Sequence, residues 1–342
     1  MGKIIRQNSI TLKKYRISFL AVLLVVMFTD ASWLLYMAND PFENVHVRNS
    51  FIAEVGSPAD FDWIPGQPAS GFLQETGNAP TVIVKAVRAT IRSNSLSNFK
   101  KILILARHLE QGPGTGEGIM SNTVDTYQQI LTTKRGFCSD YSQVMIGLGY
   151  AAMVPVREWG MSFDSFSGNG HAFNEVYDTI LGKWVFFDSY DSFYVVDKLT
   201  NEPLSVLEFR SRLLHGQDEN NLRIIPILPQ RFSFKSNKHA LDYYRKGADE
   251  MFLYYGNNVF SYDNEPFVKW LGKYSRALET VAAIILGVQP KIKIIASASN
   301  LESIEELFSL RNRVLIGIGF LLLGGLLVMY LSWKIYRGKQ SR

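Results

Sequence analysis

The chain holds a single cysteine, Cys138, and its setting raises the question of covalent chemistry. A thiol attacks as its thiolate, and the N-terminus of a helix favours that anion. Cys138 follows Arg135-Gly136-Phe137 and precedes a mostly apolar stretch from Ser139 to Ala152, so it stands at a helix start. The same chemistry needs an imidazole, both as ion-pair partner and as proton donor to the leaving group. It also needs a carboxylate that fixes the tautomer and orientation of that imidazole. His171 opens the segment HAFNEVY and Asp188 closes KWVFFD, two stretches that alternate like the arms of a hairpin. If Tyr177 lies opposite Gly182, the same register sets His171 across from Asp188, Phe173 across from Phe186 and Glu175 across from Trp184. Cross-strand neighbours have Cβ atoms ~4.5–5.5 Å apart, close enough for a hydrogen bond. Taken singly, each residue has an ordinary reading: a buried core cysteine, a structural histidine, a turn aspartate. Glu175, Arg157 and Trp159 read as structural. It is the joint pattern of Cys138, His171 and Asp188 that points to a site.

Those side chains need elements to hold them. Residues 38–80 are rich in Pro, Gly, Asp and Asn and show no clear period, an irregular lead-in. Thr81 to Arg92 is ambiguous between helix and strand, whereas Ser97 to Leu109 has helical spacing. Gln111 to Gly118 (QGPGTGEG) breaks the chain; it follows a helix and lacks a closing Gly-Lys-Ser/Thr, so it reads as a connector and not a phosphate loop. Asn122 is placed to cap a helix running to about Thr132, and Pro155 to Trp159 reads as the entry to a strand after the Cys138 helix. Asp164 to Gly170 is turn-rich. Leu204 to Leu214 and Asn237 to Tyr255 have helical spacing, and KIKII after Pro290 is a short strand. Tyr243, Tyr244, Phe252, Tyr254 and Tyr255 suit core packing better than stacking on the sugar rings of a polysaccharide. Ser299 or Asn300 caps a last helix.

Four blocks in this order carry a family resemblance: Arg135-Gly-Phe-Cys-Ser-Asp-Tyr-Ser, Val154-Pro-Val-Arg, Gly170-His-Ala-Phe-Asn-Glu-Val and Trp184-Val-Phe-Phe-Asp. Together they resemble the transglutaminase-like superfamily, over roughly residues 122–190. Val154 stands where that family commonly has Ile, and Phe173 where it commonly has Trp; neither touches the triad. The resemblance implies an α+β fold, a papain/transglutaminase-like core with an antiparallel sheet and a nucleophile helix. It implies Cys138 as nucleophile, His171 as acid/base and Asp188 as orienter, in acyl transfer through a thioester. The product would be a hydrolysed amide if water reaches the thioester, or a crosslink if an amine does. The Cys138 N–H is one expected oxyanion donor, with Tyr127, Gln128 and Gln129 as candidates for the second. The alternative is a papain-like scaffold without activity, a partner in envelope or exopolysaccharide assembly. No metal or cofactor is expected, because the five histidines are scattered and no H-E-x-x-H or paired-cysteine pattern occurs.

The composition says where this chemistry would take place. The sequence pI is near 9.1, with 36 basic and 31 acidic side chains among 342 residues. Nine of those basic residues lie in two acid-free tails, before Ile17 and after Trp333. Residues 38–313 hold 27 basic and 30 acidic side chains, so no basic surface for nucleic acid is expected. Beside the tails lie apolar runs of 21 residues (Ile17 to Met37) and 20 residues (Val314 to Trp333), each the length of a bilayer span. Basic flanks stay cytoplasmic, which places both termini inside and the main domain outside. A cleaved signal peptide competes for the first run, but that run is long and lacks a convincing A-x-A site. Ala277 to Val288 is too short for a third span and contains Glu279. Asp30 is costly in lipid and calls for a partner, with Arg311 and Arg313 in reach.

The expected organisation is a cytoplasmic tail (1–16), a transmembrane helix (17–37), an N-terminal part of the outer domain (38–121), the catalytic core (122–200), a mostly helical C-terminal part (201–313), a second transmembrane helix (314–333) and a tail (334–342). A lone cysteine allows no intramolecular disulfide, and no N-x-S/T sequon occurs, in keeping with a bacterial inner-membrane protein facing the periplasm. Its expected partners are a peptide or amide substrate of the envelope, membrane lipid and, in the scaffold reading, envelope polysaccharide machinery.

Overall fold

A computed structural model describes residues 2–93, 95–109, 118–119, 121–216 and 221–340, with side chains from Tyr15 to Arg337 within them. The chain divides into two compact units, one of residues 1–51 with 306–342 and one of residues 52–305.

The first unit contains helix α1 (Gly2–Asn39), helix α2 (Pro41–Ile52) and most of the last helix, Leu301–Gln340. Tyr15–Asn39 and Leu301–Arg337 are long and apolar enough to cross a membrane. They pack through small residues: a Cβ at Gly317 would stand 2.9 Å from Asp30 Oδ1, and one at Gly324 would stand 2.8 Å from Met27 Sδ. Such close approach of backbones is how helices associate where no hydrophobic drive exists. Asp30 shares a cavity with Arg313, Trp33 and Phe320, while the Arg311 guanidinium lies over Phe308. Among the described residues, no ion pair joins Asp30 to either arginine, and its Oδ2 has no hydrogen-bond partner.

The second unit runs β1 (Ala53–Val55), α3 (Pro58–Phe61), α4 (Thr81–Thr90), α5 (Asn98–His108), α6 (Thr123–Thr133) and α7 (Cys138–Ala151). Three strands follow, β2 (Val156–Ser162), β3 (Gly170–Asp178) and β4 (Lys183–Phe187), then β5 (Phe193–Asp197), α8 (Val206–His215) and β6 (Leu222–Pro226). The remainder is α9 (Asn237–Gly247), β7 (Met251–Tyr254), α10 (Val259–Asn264), α11 (Pro266–Gly272), α12 (Arg276–Ile285), β8 (Ile292–Ile294) and the start of α13 (Leu301–Gln340). Side-chain caps set several helix starts, Ser97 accepting from Lys100 N, Asn122 from Asp125 N and Ser205 from Glu208 N.

Six strands form one mixed sheet in the order β1-β8-β7-β2-β3-β4; β1 and β8 are parallel and every other neighbouring pair is antiparallel. Strand alternation splits the interior in two. Trp159, Met161, Phe173 and Phe186 face a core closed by α8 and α9, and Val156, Val176, Val185 and Phe187 face one built with α4 to α7.

Three expectations need correction. The lead-in is partly ordered, as α2, β1 and α3. Asn237 to Tyr255 is not one helix: α9 stops at Gly247, and Met251–Tyr254 becomes β7, between β2 and β8. The β3–β4 register is also displaced by two residues, with Asp178 opposite Lys183, Glu175 opposite Phe186 and Asn174 opposite Phe187. Gly182, with φ +67°, serves inside the turn instead of opening the strand, and the Asp178 carboxylate caps that turn through Ile180 N and Leu181 N. A two-residue shift keeps every side chain on its expected face. The QGPGTGEG connector lies outside the described residues apart from Gly118.

Candidate active site

Cys138 is the first residue of α7, free and partly exposed. The turn before it is held by Asp140, whose Oδ2 accepts from Phe137 N at 2.8 Å and Ile119 N at 3.0 Å. Gly136 takes φ +137° to bring the chain from α6 into this turn. One helical turn on, Ser142 Oγ accepts from Asn174 Nδ2 at 2.8 Å, and Ser142 O accepts from the same amide at 3.2 Å. Asn174 is a β3 residue, so this buried clamp ties the helix of Cys138 to the strand of His171.

His171 lies near the start of β3, opposite Met161 of β2, and is buried. Its Nε2 is 2.6 Å from Asp188 Oδ2, and the Cys138 thiol stands near enough to the ring to bear on its protonation. With Nε2 engaged by Asp188, Nδ1 is the nitrogen left for the thiol. The true register puts Asp188 diagonal to His171 rather than directly across, and diagonal neighbours remain within reach of long side chains. The chain turns here, with Asp188 and Phe193 exchanging backbone hydrogen bonds at 2.8 and 3.1 Å.

Asp188 is fully buried and held from four sides. Oδ1 accepts from Tyr190 N at 2.7 Å and Asp191 N at 2.9 Å. Oδ2 accepts from His171 and, in a short hydrogen bond, from the Tyr244 hydroxyl. Burial and then the Asp188 charge push the Tyr244 phenol well above its usual range, so it stays a donor. Burial drives the His171 imidazole toward neutrality, but the Asp188 and Cys138 charges outweigh it, and the ring holds its proton well above the ordinary histidine range.

A second carboxylate was not foreseen. Asp191 Oδ2 is 3.5 Å from His171 Nε2, and burial followed by the Asp188 charge pushes Asp191 up to about 6. His171, Asp188 and Asp191 offer three ligand atoms within 4.8 Å of one another. An ion bound at ~2.0–2.2 Å to both would hold Nε2 and Oδ2 ~3 Å apart or more. Their 2.6 Å separation is that of a hydrogen bond instead. Around the imidazole stand Phe173, Tyr190, Tyr243 and Tyr244, ring centroids 5.8–6.1 Å away.

Tyr127 is buried, and its hydroxyl is 2.8 Å from His108 Nε2. Gln128 and Gln129 are exposed on α6. Among the described contacts, none joins these three to Cys138 or His171. Arg157, Trp159 and Glu175 form a separate buried group: Glu175 Oε2 accepts from Arg157 Nε at 2.8 Å, Arg157 Nη2 at 2.7 Å and Trp159 Nε1 at 2.6 Å. Oε1 accepts from Val206 N at 2.6 Å, and the guanidinium lies 4.0 Å over Trp184. This group locks β2, β3, β4 and α8 together.

Tyr244, Asp191 and Asn174 are the residues that sequence reasoning missed. A tyrosine at a core position must find a hydroxyl partner, and two acids three apart beyond a strand end can share a turn. Both signals were present in the sequence, without saying which partner would be met.

A family model of the Transglutaminase-like superfamily matches residues 85–189, an interval that holds Cys138, His171 and Asp188 and begins within α4, well before Arg135. Neither the search of curated proteins nor the search of solved structures found a match. The chain thus carries, at residues 85–189, a transglutaminase-like superfamily domain.

Proposed function

We propose that this protein is a membrane-anchored cysteine acyl-transfer enzyme acting on a peptide or amide of the cell envelope, with Cys138, His171 and Asp188 as its triad. The observation that carries the reading is one buried imidazole 2.6 Å from Asp188 Oδ2 with the Cys138 thiol, at the start of α7, close enough to act on its charge. In the first step the Cys138 thiolate Sγ adds to the carbonyl carbon. As the tetrahedral species collapses, the C–N bond breaks and the imidazolium gives its proton to the departing amine, leaving a thioester. Water or a second amine then adds to the thioester, His171 takes the proton of that nucleophile, and the thiolate leaves. The Cys138 N–H, at the first position of α7 where amides lack an intrahelical acceptor, faces the developing oxyanion. Asp188 orients the ring and supports its charge.

The basic flanks of the two apolar helices favour both termini in the cytoplasm and residues 52–305 on the periplasmic side of a bacterial inner membrane. The test is alkylation of Cys138 by iodoacetamide in the full chain at neutral pH. The enzyme reading expects fast labelling that His171→Ala slows, and a cellular phenotype lost with Cys138→Ser. Slow labelling indifferent to His171→Ala, with Cys138→Ser keeping the phenotype, would point to the scaffold instead.

A further inference from the structure

Helices α11 and α12 form a short helical hairpin joined by Lys273, Tyr274 and Ser275. Its seam is small, Val268 against Ala282 and Ala283, with Tyr262, Leu271 and Val288 around it. What it leaves outside is unusual. Phe267, Trp270, Tyr274, Leu278, Val281 and Ile285 are between 45% and 76% exposed. Leu278, Val281 and Ile285 in α12, and Phe267 and Trp270 in α11 with Tyr274 of the turn after it, recur at spacings of three and four, one stripe on each arm. At ~100° per residue each stripe lies about a third of a turn to the same side of its own seam residues. Because the helices run antiparallel, that common offset opens both stripes onto one face of the hairpin. The rings on it touch in sequence, Phe267 to Trp270 at 5.8 Å and Trp270 to Tyr274 at 5.6 Å. Lys269 and Lys273 are exposed, and Lys273, three residues after Trp270, stands at the border of the aromatic stripe.

A contiguous apolar face of this kind calls for an occupant. We propose that the hairpin is an interfacial membrane-binding element, its apolar face seated among the acyl chains and its lysines among the phosphates of an anionic phospholipid bilayer. The face joins tryptophan and tyrosine, whose rings suit the headgroup boundary, to lysines whose stems lie along apolar surface while their ammonium groups reach the phosphates. The occupant is also always at hand: the chain carries two helices of bilayer length, so association with that bilayer is intramolecular. The proposal rests on the reading of α1 and α13 as spans, and it goes beyond that reading by giving residues 266–285 a lipid contact of their own.

The test is spin-label accessibility in the full chain, reconstituted in vesicles of phosphatidylethanolamine and phosphatidylglycerol. With Cys138→Ser as background, a nitroxide is placed singly by Val281→Cys, Ile285→Cys, Leu199→Cys or Leu322→Cys. Leu199 is 76% exposed and is the aqueous reference; Leu322 lies in α13 and is the lipid reference. The expected result is that the labels at 281 and 285 collide more with oxygen than with a water-soluble nickel chelate, as at 322 and opposite to 199. Lys269→Glu with Lys273→Glu should move both hairpin labels toward the aqueous value. Collision with the nickel chelate at 281 and 285 as at 199, with 322 still in lipid, overturns the hairpin and leaves the spans standing. Loss of collision with both reagents there means a protein covers the face and equally overturns it. An aqueous signal at 322 as well overturns the spans, and the hairpin proposal with them.

Discussion

The replacement Asp188→Asn tests the proposed triad most sharply, because the surroundings of Asp188 dictate how an asparagine must sit. Oδ1 receives two backbone N–H groups, from Tyr190 at 2.7 Å and Asp191 at 2.9 Å. An amide nitrogen cannot accept there, so the asparagine oxygen takes that place and its Nδ2 falls where Oδ2 now stands, 2.6 Å from His171 Nε2. Nδ2 only donates. His171 Nε2 must then accept, and the ring proton moves to Nδ1, the atom left for Cys138. In that tautomer the imidazole has nothing with which to take the thiol proton. The second loss is the charge: burial pulls His171 down, and Asp188 is the first of the influences that pull it back up. A hydrogen bond to an ionised group contributes ~1.5–3 kcal/mol, equivalent to ~1–2 units in the histidine pKa. The same tautomer reversal in a serine-protease triad costs ~10⁴-fold.

Iodoacetamide labelling of the full chain, followed by intact mass against pH, should therefore slow by ~10²–10⁴ near pH 7 in the variant. Labelling should recover above about pH 9, where an unassisted thiol ionises. The recovery matters, since it separates a lost base from a lost fold. A neutral-pH rate within about twofold of the parent would show that Asp188 does not set the tautomer, and the mechanism above would fall.

Other outcomes follow from the neighbouring groups. Tyr244→Phe removes one of four donors to Asp188 from a fully buried site and should cost ~1.5–3 kcal/mol, read as a melting temperature lower by several degrees; an unchanged melting temperature would remove Tyr244 from the account. Asp191 holds its proton to about 6 in the folded chain against an ordinary value of 3.8, so its contribution is complete below about pH 4 and is lost as pH rises through about 6. Asp191→Asn should flatten stability over that window and gain on the order of 2–3 kcal/mol near pH 7; parallel melting curves for parent and variant across it would contradict this. Arg157→Met leaves the Glu175 carboxylate buried with only Trp159 Nε1 and Val206 N as donors, and should destabilise by ~3–5 kcal/mol in urea titration. A smaller loss than about 1 kcal/mol would mean the pair is worth no more than an exposed one.

Much of this was legible in the residues, and what was not has a physical cause. Gly136 before Cys138 and the apolar run after it announced a helix start, and the α7 boundary fell there. The alternation of His171 to Tyr177 was enough to place β3, because a half-buried strand writes its two faces into the sequence. Register is different. Two four-residue turns, one ending before Gly182 and one including it, are equally consistent with the pattern, and only the choice of which residue takes positive φ separates them. Since that choice moves the pairing by two, the parity of every face survives, and with it the meeting of His171 and Asp188. The failure at Asn237 to Tyr255 was of another kind. Met251 to Tyr254 is apolar on both sides because β7 is interior to the sheet, and a short apolar run without alternation cannot be told from the end of a helix.

That interior strand bears on how the site is built. The family-matched interval of residues 85–189 supplies the three candidate reacting groups, yet β2 within it is an edge unless β7 pairs with Trp159, Gly160 and Met161. β7 in turn needs β8, and β8 needs β1, so the sheet that carries His171 is completed from both ends of residues 52–305. Tyr244 enters by the same route: α9 leads directly into β7 and lays the hydroxyl on the carboxylate that holds the histidine. The carboxylate bonded to His171 is thus held in part by a segment outside that interval. A side chain that only donates one hydrogen bond to Asp188 can arrive from any helix that covers this face, whereas the cysteine, histidine and aspartate must each arrive from one element. Motifs record the second kind of constraint, and only the three-dimensional structure records the first.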